Sequence, residues 1–226
     1  MKQLLHKTMT LLMFFALLMP FFLSEAKAQT IWNGSTVDIS WYDAEQSTFN
    51  ISTPEQLAGM AKLVNDNVTT FSGKTVNLVA DIWLNADYDY TNNWIPIGGN
   101  PTATTESLDN AANRYFEGSF NGNFYFIYNM YCEKESYYHG GLFAAIRSTP
   151  TSTVKIQNLI LQNPIVKVRG TVGHIAGFVG RGGDVYLEKC MIINGDLQGG
   201  TGNNFGSLIG TTADNGNNNE IGRAHV

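Results

Sequence analysis

The residues best suited to chemistry are few and widely separated along this chain of 226 residues. His139 and His174 each precede a Gly-rich apolar segment at nearly equivalent places, which favours a structural role over catalysis. Asp81 and Glu117 could pair as the acids of sugar hydrolysis, but their spacing gives that pairing no support. The chain has no Gly-x-Ser-x-Gly elbow, His-Glu-x-x-His motif or phosphate-binding loop. We therefore expect a protein that is not an enzyme and needs no cofactor.

Metal binding has equally little support. The oxygen-rich segment Asn85–Asp89 lacks the glycine and the distal glutamate of a calcium loop, which favours a solvated turn. Cys132 and Cys190 do not form a metal site with two distant histidines. A disulfide is permitted in an exported chain. We favour burial of both cysteines as small hydrophobic residues, because Cys190 takes the place of an apolar residue in the repeat described below.

Aromatic side chains are better candidates for contact with a ligand. They make up 12% of the chain, and several lie in polar segments where a ring could stack on a sugar or anchor a protein partner. Ordinary packing at the edges of the fold is the alternative. The candidate ligand-contact residues are Tyr88, Tyr90, Trp94, Tyr137 and Tyr138.

Residues 1–28 have the pattern of a cleavable signal peptide. Lys2 and Lys7 precede an apolar run over 11–23, and residues 26–28 are Ala-Lys-Ala, which a signal peptidase would recognise. The run is shorter than the roughly 20 residues of a membrane-spanning helix. We expect cleavage before Gln29 and a mature chain that is secreted or held at the cell surface, without a transmembrane span.

Charge limits the classes of partner. Removing residues 1–28 takes away three lysines and one glutamate, so the formal charge moves from −5 to −7. An acidic chain has no electrostatic basis for binding nucleic acid or anionic lipid. The last residues, 220–226, resemble the translation of a short-read sequencing adapter, so we expect the natural protein to continue beyond residue 219.

The N-terminal region, residues 29–70, is predicted to contain strands and one helix that covers an exposed sheet end. Thr53 can cap a helix, Pro54 suits its first position, and Gln56 completes a capping box. Apolar residues then follow at helical spacing. We expect the helix at about residues 54–65.

Residues 71–219 repeat themselves. Val154–Asn163 aligns with Val185–Asn194 at an offset of 31 residues, and Gly173–Gly180 aligns with Asn203–Gly210 at an offset of 30. An earlier copy is Tyr138–Ala144. One unit cannot bury its apolar row alone, whereas stacked units can, so the repeats predict a mainly β solenoid.

Two asparagines in these repeats, Asn158 and Asn163, occupy places where stacked units could form side-chain ladders.

The repeated segments resemble the GLUG-repeat family, which is named for a Gly-Leu-any-Gly signature and is common among exported proteins of Bacteroidetes. The resemblance extends over about residues 47–212 and includes the order of the helix, a Trp-Ile-Pro-Ile-Gly segment and an Asn-Gly turn. It implies a right-handed parallel β-helix with an adhesin-like surface role and no catalytic residues. The motif segments are Gly141-Leu142-Phe143-Ala144, Gly177-Phe178-Val179-Gly180 and Ser207-Leu208-Ile209-Gly210.

The sequence thus predicts a non-catalytic exported scaffold that binds a glycan or a protein. The alternative is the N-terminal or accessory part of a larger secreted polysaccharide-degrading enzyme or peptidase. A third interpretation is an incomplete fragment whose last repeat has an uncapped, aggregation-prone edge.

Overall fold

The computed structural model describes residues 29–99, 114–134, 137–180, 182–199 and 204–212. The fold is mainly β, with parallel sheets and one helix, α1 (Pro54–Asn65), in the described residues. The expected signal peptide and the residues 220–226 lie outside these ranges.

The described strands form parallel sheets, which we letter A to E in the order in which the chain reaches them. Sheet A contains β1 (Thr48–Ile51), β2 (Thr75–Leu78), β4 (Ser119–Asn121), β9 (Val154–Gln157) and β14 (Val185–Glu188). Sheet B contains β3 (Ile82–Trp83), β5 (Phe126–Tyr128), β10 (Ile160–Gln162) and β15 (Met191–Ile193). Sheet C contains β6 (Tyr131–Lys134), β11 (Ile165–Val168) and β16 (Asp196–Gly199). Sheet D contains β7 (His139–Gly140), β12 (Thr171–Gly173) and β17 (Phe205–Gly206). Sheet E contains β8 (Phe143–Ile146), β13 (Ala176–Val179) and β18 (Ile209–Thr212).

The chain passes through these sheets in successive units. Residues 119–146, 154–179 and 185–212, named units 3, 4 and 5, each contribute one strand to every sheet. Unit 2, residues 75–99, contributes β2 and β3, and bridges at Asn93 and Ile97 continue it alongside sheets C and E. Unit 1 is β1 followed by α1. Each unit therefore rests on the next through backbone hydrogen bonds along parallel strands.

The core is filled by side chains that alternate inward along these strands. In sheet A, for example, Val154 and Ile156 are fully buried and Lys155 between them is exposed. Aromatic rings pack on one another in the core, with Phe143 lying 5.0 Å from Phe116 and 5.7 Å from Phe120 between ring centres. One continuous apolar cluster runs from the N-terminal region into unit 5. Stacking is what buries the apolar row of each unit.

The first repeat alignment is confirmed and the second is wrong. Val154 pairs with Val185 and Ile160 with Met191, which is the expected offset of 31. Ala176, however, pairs with Ile209, an offset of 33 instead of 30. Between the paired positions Val168/Gly199 and Val172/Phe205, unit 5 contains two more residues than unit 4, so the register after this connection moves by two relative to the strands before it.

This register changes which residues of the motif segments are equivalent between units. Phe143 pairs with Ala176, which in turn pairs with Ile209, so residues 141–144 correspond to 174–177 and 207–210. The segment Gly177–Gly180 therefore lies three residues downstream of the equivalent position. At Gly141 the backbone φ is +149°, and a Cβ there would lie 2.4 Å from the carbonyl oxygen of Gly173 in the next unit. Glycine is required at this position because the neighbouring backbone leaves no room.

Asparagines line the corner between sheets B and C. Asn129 and Asn163 adopt left-handed conformations, with φ of +55° and +53°. The side-chain amide of Asn163 donates to the side-chain oxygen of Asn129 at 3.0 Å, and that of Asn194 donates to Asn163 at 3.4 Å. The predicted ladder is thus present at Asn163. Asn158 instead donates to Asn121, which is not its equivalent residue in the neighbouring unit.

Helix α1 has the predicted bounds and cap. The Thr53 side chain accepts a hydrogen bond from the Gln56 backbone at 3.3 Å, and the Gln56 side chain accepts one from the Ser52 backbone at 2.8 Å. The helix is buried on several sides, since Leu57 and Met60 are inaccessible in the core while a Cβ on Gly59 would lie 1.9 Å from the Asp38 carbonyl oxygen. The segment before β1 therefore packs directly on the helix.

Replacing Thr53 by alanine should lower the free energy of unfolding by about 1 kcal/mol, because the Gln56 backbone N–H loses its acceptor. Urea denaturation of the two proteins measures the difference. Thr53→Ser is the matched control, because it keeps the accepting oxygen and should retain most of the stability. Equal stability of Thr53→Ala and the parent chain would contradict this role of the cap.

Candidate functional site

The outward side of sheet B carries a largely apolar surface. Its strands alternate as in sheet A, so Ile82, Ile127 and Leu161 point into the core and their neighbours point out. The outward residues of adjacent strands are in register across units 2 to 5. We name this surface the aromatic face. Gln162 is a polar residue within it, between Tyr128 and Ile193, and its apolar members are Ile31, Trp83, Phe126, Tyr128, Ile160, Met191 and Ile193.

Three rings on the aromatic face lie almost parallel. The Trp83 and Tyr128 rings are stacked with 3.8 Å between centres and 13° between planes. Phe126 and Tyr128 are 5.2 Å apart with 15° between planes. At the two ends of the face, Met191 is 52% exposed and Ile31 is 41% exposed. Exposed large apolar residues are ordinary when scattered, whereas a contiguous group of this kind is typical of an interaction surface.

Two carboxylates border the ring stack. Asp81 is exposed and accepts a hydrogen bond from the Phe126 backbone at 2.9 Å. Asp87, also exposed, accepts one from the side chain of Asn129 at 3.1 Å. Burial raises the pKa of Tyr128, and the negative charges of Asp81 and Asp87 raise this pKa further. The rings therefore lie in a locally negative field.

The outward side of sheet A has the opposite character. Its two outward ladders contain no aliphatic residue, and they lie on the same units as the aromatic face. The first ladder runs Thr48, Thr75, Ser119, Lys155 and Tyr186; the second runs Asn50, Asn77, Asn121, Gln157 and Glu188. Solubility and strand pairing thus do not require apolar residues on the outside of this fold, so the aromatic face calls for another explanation.

The predicted ligand-contact aromatics do not share one surface. Tyr88 is 94% exposed, and Tyr90 is half-buried with its ring 5.6 Å from that of Tyr131. Tyr138 is half-buried against the edge of His139.

The other two candidates, Trp94 and Tyr137, are buried, as in the alternative of ordinary packing. Trp94 is 1% exposed and Tyr137 is 6% exposed. Trp94 packs edge-on against Trp32 with 6.0 Å between ring centres and donates to the carbonyl of Leu142 at 3.2 Å. Sequence reasoning missed Trp83, Phe126 and Tyr128, although Phe126-Ile127-Tyr128 has the period-2 spacing that places alternate residues on one face.

A cleft lies between α1 and unit 2. This cleft of about 450 Å³, which we name the cap cleft, is within the roughly 300–1,000 Å³ typical of small-molecule sites. Trp32, Trp94 and Tyr137 are among the residues that line it. Thus the two buried aromatic candidates, Trp94 and Tyr137, contribute to the wall of a cavity.

The motif residues serve packing. In units 3 and 4 the large apolar members are buried, and in unit 5 the corresponding Leu208 and Ile209 are partly buried against the core. Phe178 lies in a separate small cluster with Tyr115 and Ala145. The buried members are Leu142, Phe143, Phe178 and Val179, and the glycines between them are Gly141, Gly177, Gly180 and Gly210.

His174 lies inside the fold, and His139 is half-buried. The His139 ring stacks on Phe178 at 5.2 Å, and burial lowers the pKa of His139 to about 4. His174 is 3% exposed and hydrogen-bonded through Nδ1 to the Ser207 carbonyl at 2.8 Å. Burial lowers its pKa as well, against the opposing effects of Ser207 and Asp196. In register, His139 pairs with Thr171, so the two histidines are not equivalent.

The surroundings of the two cysteines and of Glu117 indicate structural roles. Cys132 and Cys190 are buried free thiols, as favoured from the sequence, and burial raises the pKa of Cys132 to about 12. Glu117 is buried and ion-paired with Arg147. In the segment proposed as a solvated turn, Asn85 is wholly buried. The part of the chain that the structure describes contains no group of three or more His, Cys, Asp or Glu able to hold a metal ion.

No protein-family model, no curated protein and no solved structure matches the chain. Within the described ranges, no helix is long and apolar enough to cross a membrane. The function has therefore to be inferred from the aromatic face and the cap cleft themselves.

Proposed function

We propose that this chain is a non-catalytic, exported surface scaffold that binds a glycan through its aromatic face, in the manner of an adhesin. The observation that carries the proposal is the contrast between two outward faces of the same units. The outside of sheet A is polar along both ladders, while the outside of sheet B presents stacked rings and aliphatic side chains.

The architecture we propose is a right-handed parallel β-helix of the GLUG-repeat kind. Supporting it are the parallel pairing of every described strand ladder and the recurrence of all five sheets in units 3, 4 and 5. Parallel crossovers are almost always right-handed. The signal-peptide pattern of residues 1–28 supports export.

A neutral glycan fits the chemistry of the aromatic face. The C–H rich side of a sugar packs on aromatic and aliphatic groups, and its hydroxyls donate to carboxylates such as Asp81 and Asp87. No lysine or arginine lies among the outward residues of the described sheet B strands. The negative field around Tyr128 disfavours uronic acids and sulfated sugars at this face.

A glycan array tests the proposal directly. We expect the purified chain to bind neutral polysaccharides, and Phe126→Ser to weaken this binding roughly threefold to tenfold through loss of one ring contact. Met191→Ser, at the far end of the same face, should also weaken binding. The matched control is Tyr186→Ser, which removes an outward aromatic residue from sheet A and should leave binding unchanged.

Folding of each variant is checked by circular dichroism and thermal unfolding, because the rings also stack between units. Two outcomes would overturn the proposal: binding of no glycan by the parent chain, or equal loss of binding in Tyr186→Ser and Phe126→Ser. Retained binding in both Phe126→Ser and Met191→Ser would place the glycan elsewhere on the molecule.

A further inference from the structure

The cap cleft has aromatic and aliphatic residues in its lining. Trp32 and Trp94 meet edge to face at 68°, and Tyr137 completes the aromatic lining. Val37 and Ile95, which are 40% and 48% exposed, form part of the rim. A lining of this kind holds the uncharged body of a ligand out of water.

Room for the ligand comes from small residues on one side of α1. Ala58, Ala61 and Asn65 line the cleft at spacings of three and four, so they form one stripe along the helix. Leu57 and Met60, on the other side, are inaccessible within the core. A large residue at position 58 or 61 would fill the cleft, which provides a specific way of closing it.

Within the described residues, the cleft also contains one cation without a carboxylate partner. The Lys62 ammonium is paired with Asp66 at 2.6 Å. Lys134 is exposed, and its ammonium lies 5.0 Å from the ring centre of Tyr137. Among the residues that the structure describes, Lys134 forms no ion pair. The lining therefore has a net positive charge beside aromatic residues, although the chain as a whole is acidic.

We propose that the cap cleft is a second binding site, separate from the aromatic face, for a six-membered ring that carries one carboxylate. The ring lies against Trp32, Trp94 and Tyr137, and the carboxylate pairs with Lys134. A sugar acid and an aromatic acid share this chemistry. The preference for an anion is opposite to that of the aromatic face, so the two sites take different ligands.

Four probes test the site: D-glucuronate and benzoate as carboxylates, with D-glucose and benzyl alcohol as their neutral counterparts. Binding to the purified chain is followed by tryptophan fluorescence and by saturation-transfer NMR. At least one carboxylate should bind, and its neutral counterpart should bind roughly tenfold more weakly, as expected for loss of a charge-assisted contact. Preference for glucuronate identifies a sugar acid as the ligand, and preference for benzoate an aromatic acid; both outcomes support the site.

Three variants locate the binding. Ala61→Phe fills the cleft and should abolish carboxylate binding. Lys134→Gln preserves the length of an exposed side chain without its charge, and should remove the roughly tenfold preference for the carboxylate. Lys155→Gln, on the outside of sheet A, is the matched loss of a lysine and should bind like the parent chain.

Circular dichroism and thermal unfolding establish that Ala61→Phe is folded, and Lys134→Gln provides an independent test should that variant be destabilised. Phe126→Ser on the aromatic face should leave carboxylate binding intact, so this inference and the proposed glycan function can fail separately. The inference is overturned when none of the four probes binds, when charged and neutral probes bind equally, or when Lys134→Gln retains the full preference.

Discussion

Replacing Asn129 by alanine is expected to lower the free energy of unfolding by about 3–5 kcal/mol, the largest effect of any single change considered for this protein. Two costs combine at this residue. Alanine would have to adopt a φ of +55°, which costs about 1–2 kcal/mol for a residue with a Cβ. It would also remove an amide that is wholly buried and bonded in two directions.

The hydrogen bonds of Asn129 join three successive units. Its amide donates to the Asn85 carbonyl at 3.1 Å in unit 2, and its side-chain oxygen accepts from Asn163 at 3.0 Å in unit 4. Asn85 in turn donates to the backbone carbonyl of Asn129 at 3.0 Å. Each buried partner left without a bond costs about 1–3 kcal/mol.

Two further variants separate the contributions. Asn129→Gly relieves the backbone cost and should be about 1 kcal/mol more stable than Asn129→Ala, because glycine accepts positive φ. Asn194→Ala is the matched control, since Asn194 has the same corner position and a φ of +54° but is exposed. Its loss should be near 1 kcal/mol. Urea denaturation gives all four free energies, and equal losses at positions 129 and 194 would contradict the argument from burial.

The sequence predicts this fold best where the signal is local. The helix at 54–65 follows from a cap, a proline and a 3.6-residue period, all within fourteen residues of chain. The pairing of Val154 with Val185 follows from two strands with the same alternation of apolar residues. Both predictions rest on residue patterns within short segments of the sequence.

The predictions from sequence fail where contacts with a distant part of the chain determine the register or the orientation of a side chain. The offset of 33 between Ala176 and Ile209 depends on a connection two residues longer in unit 5, and no local pattern marks which residues are additional. Trp94 and Ile95 are adjacent and both apolar, so alternation puts one inside and one outside without saying which. The pairing of Asn93 with Tyr131 and of Ile97 with Phe143 places Trp94 inward and leaves Ile95 at the rim of the cap cleft.

The aromatic face was not predicted from the sequence, for a related reason. Phe126, Ile127 and Tyr128 are all apolar or aromatic, so the strand reads as buried on both sides, as in a covered parallel sheet. Only the stacking of units shows that sheet B has no covering layer among the described residues and that its outward rings reach solvent. The surface that we propose as the glycan site thus consists of what the repeats leave uncovered, while Gly141 and Phe143 of the repeat motif serve packing.

Stability is expected to fall by on the order of 2–3 kcal/mol as the pH is lowered from about 6.5 to about 4. The cause is His139, whose ring lies against Phe178 and Tyr138 and bonds through Nδ1 to the Thr171 hydroxyl. Burial lowers the pKa of His139 in the folded chain to about 4, from an ordinary value of 6.5. Between these values the unfolded chain takes up a proton that the folded chain does not, so acidification favours unfolding.

His174 should add to this loss in the same direction. Its pKa is also lowered by burial, although the Ser207 carbonyl and Asp196 oppose the shift, so its share is smaller. Asp38 does not account for this window. Asp38, whose pKa is lowered by hydrogen bonds from Ser40, loses its contribution only below its ordinary value of 3.8.

Urea denaturation at several pH values between 4 and 7 measures the effect, and His139→Gln isolates its source. Glutamine can keep a hydrogen bond to Thr171 but does not titrate, so the dependence on pH should shrink by more than half in this variant. Adding His174→Gln should leave little of it. A parent chain whose free energy of unfolding stays constant or rises on acidification would mean that His139 is protonated in the folded state. That result would contradict its enclosure between Phe178 and Tyr138, and with it the close stacking of sheets D and E that encloses the ring.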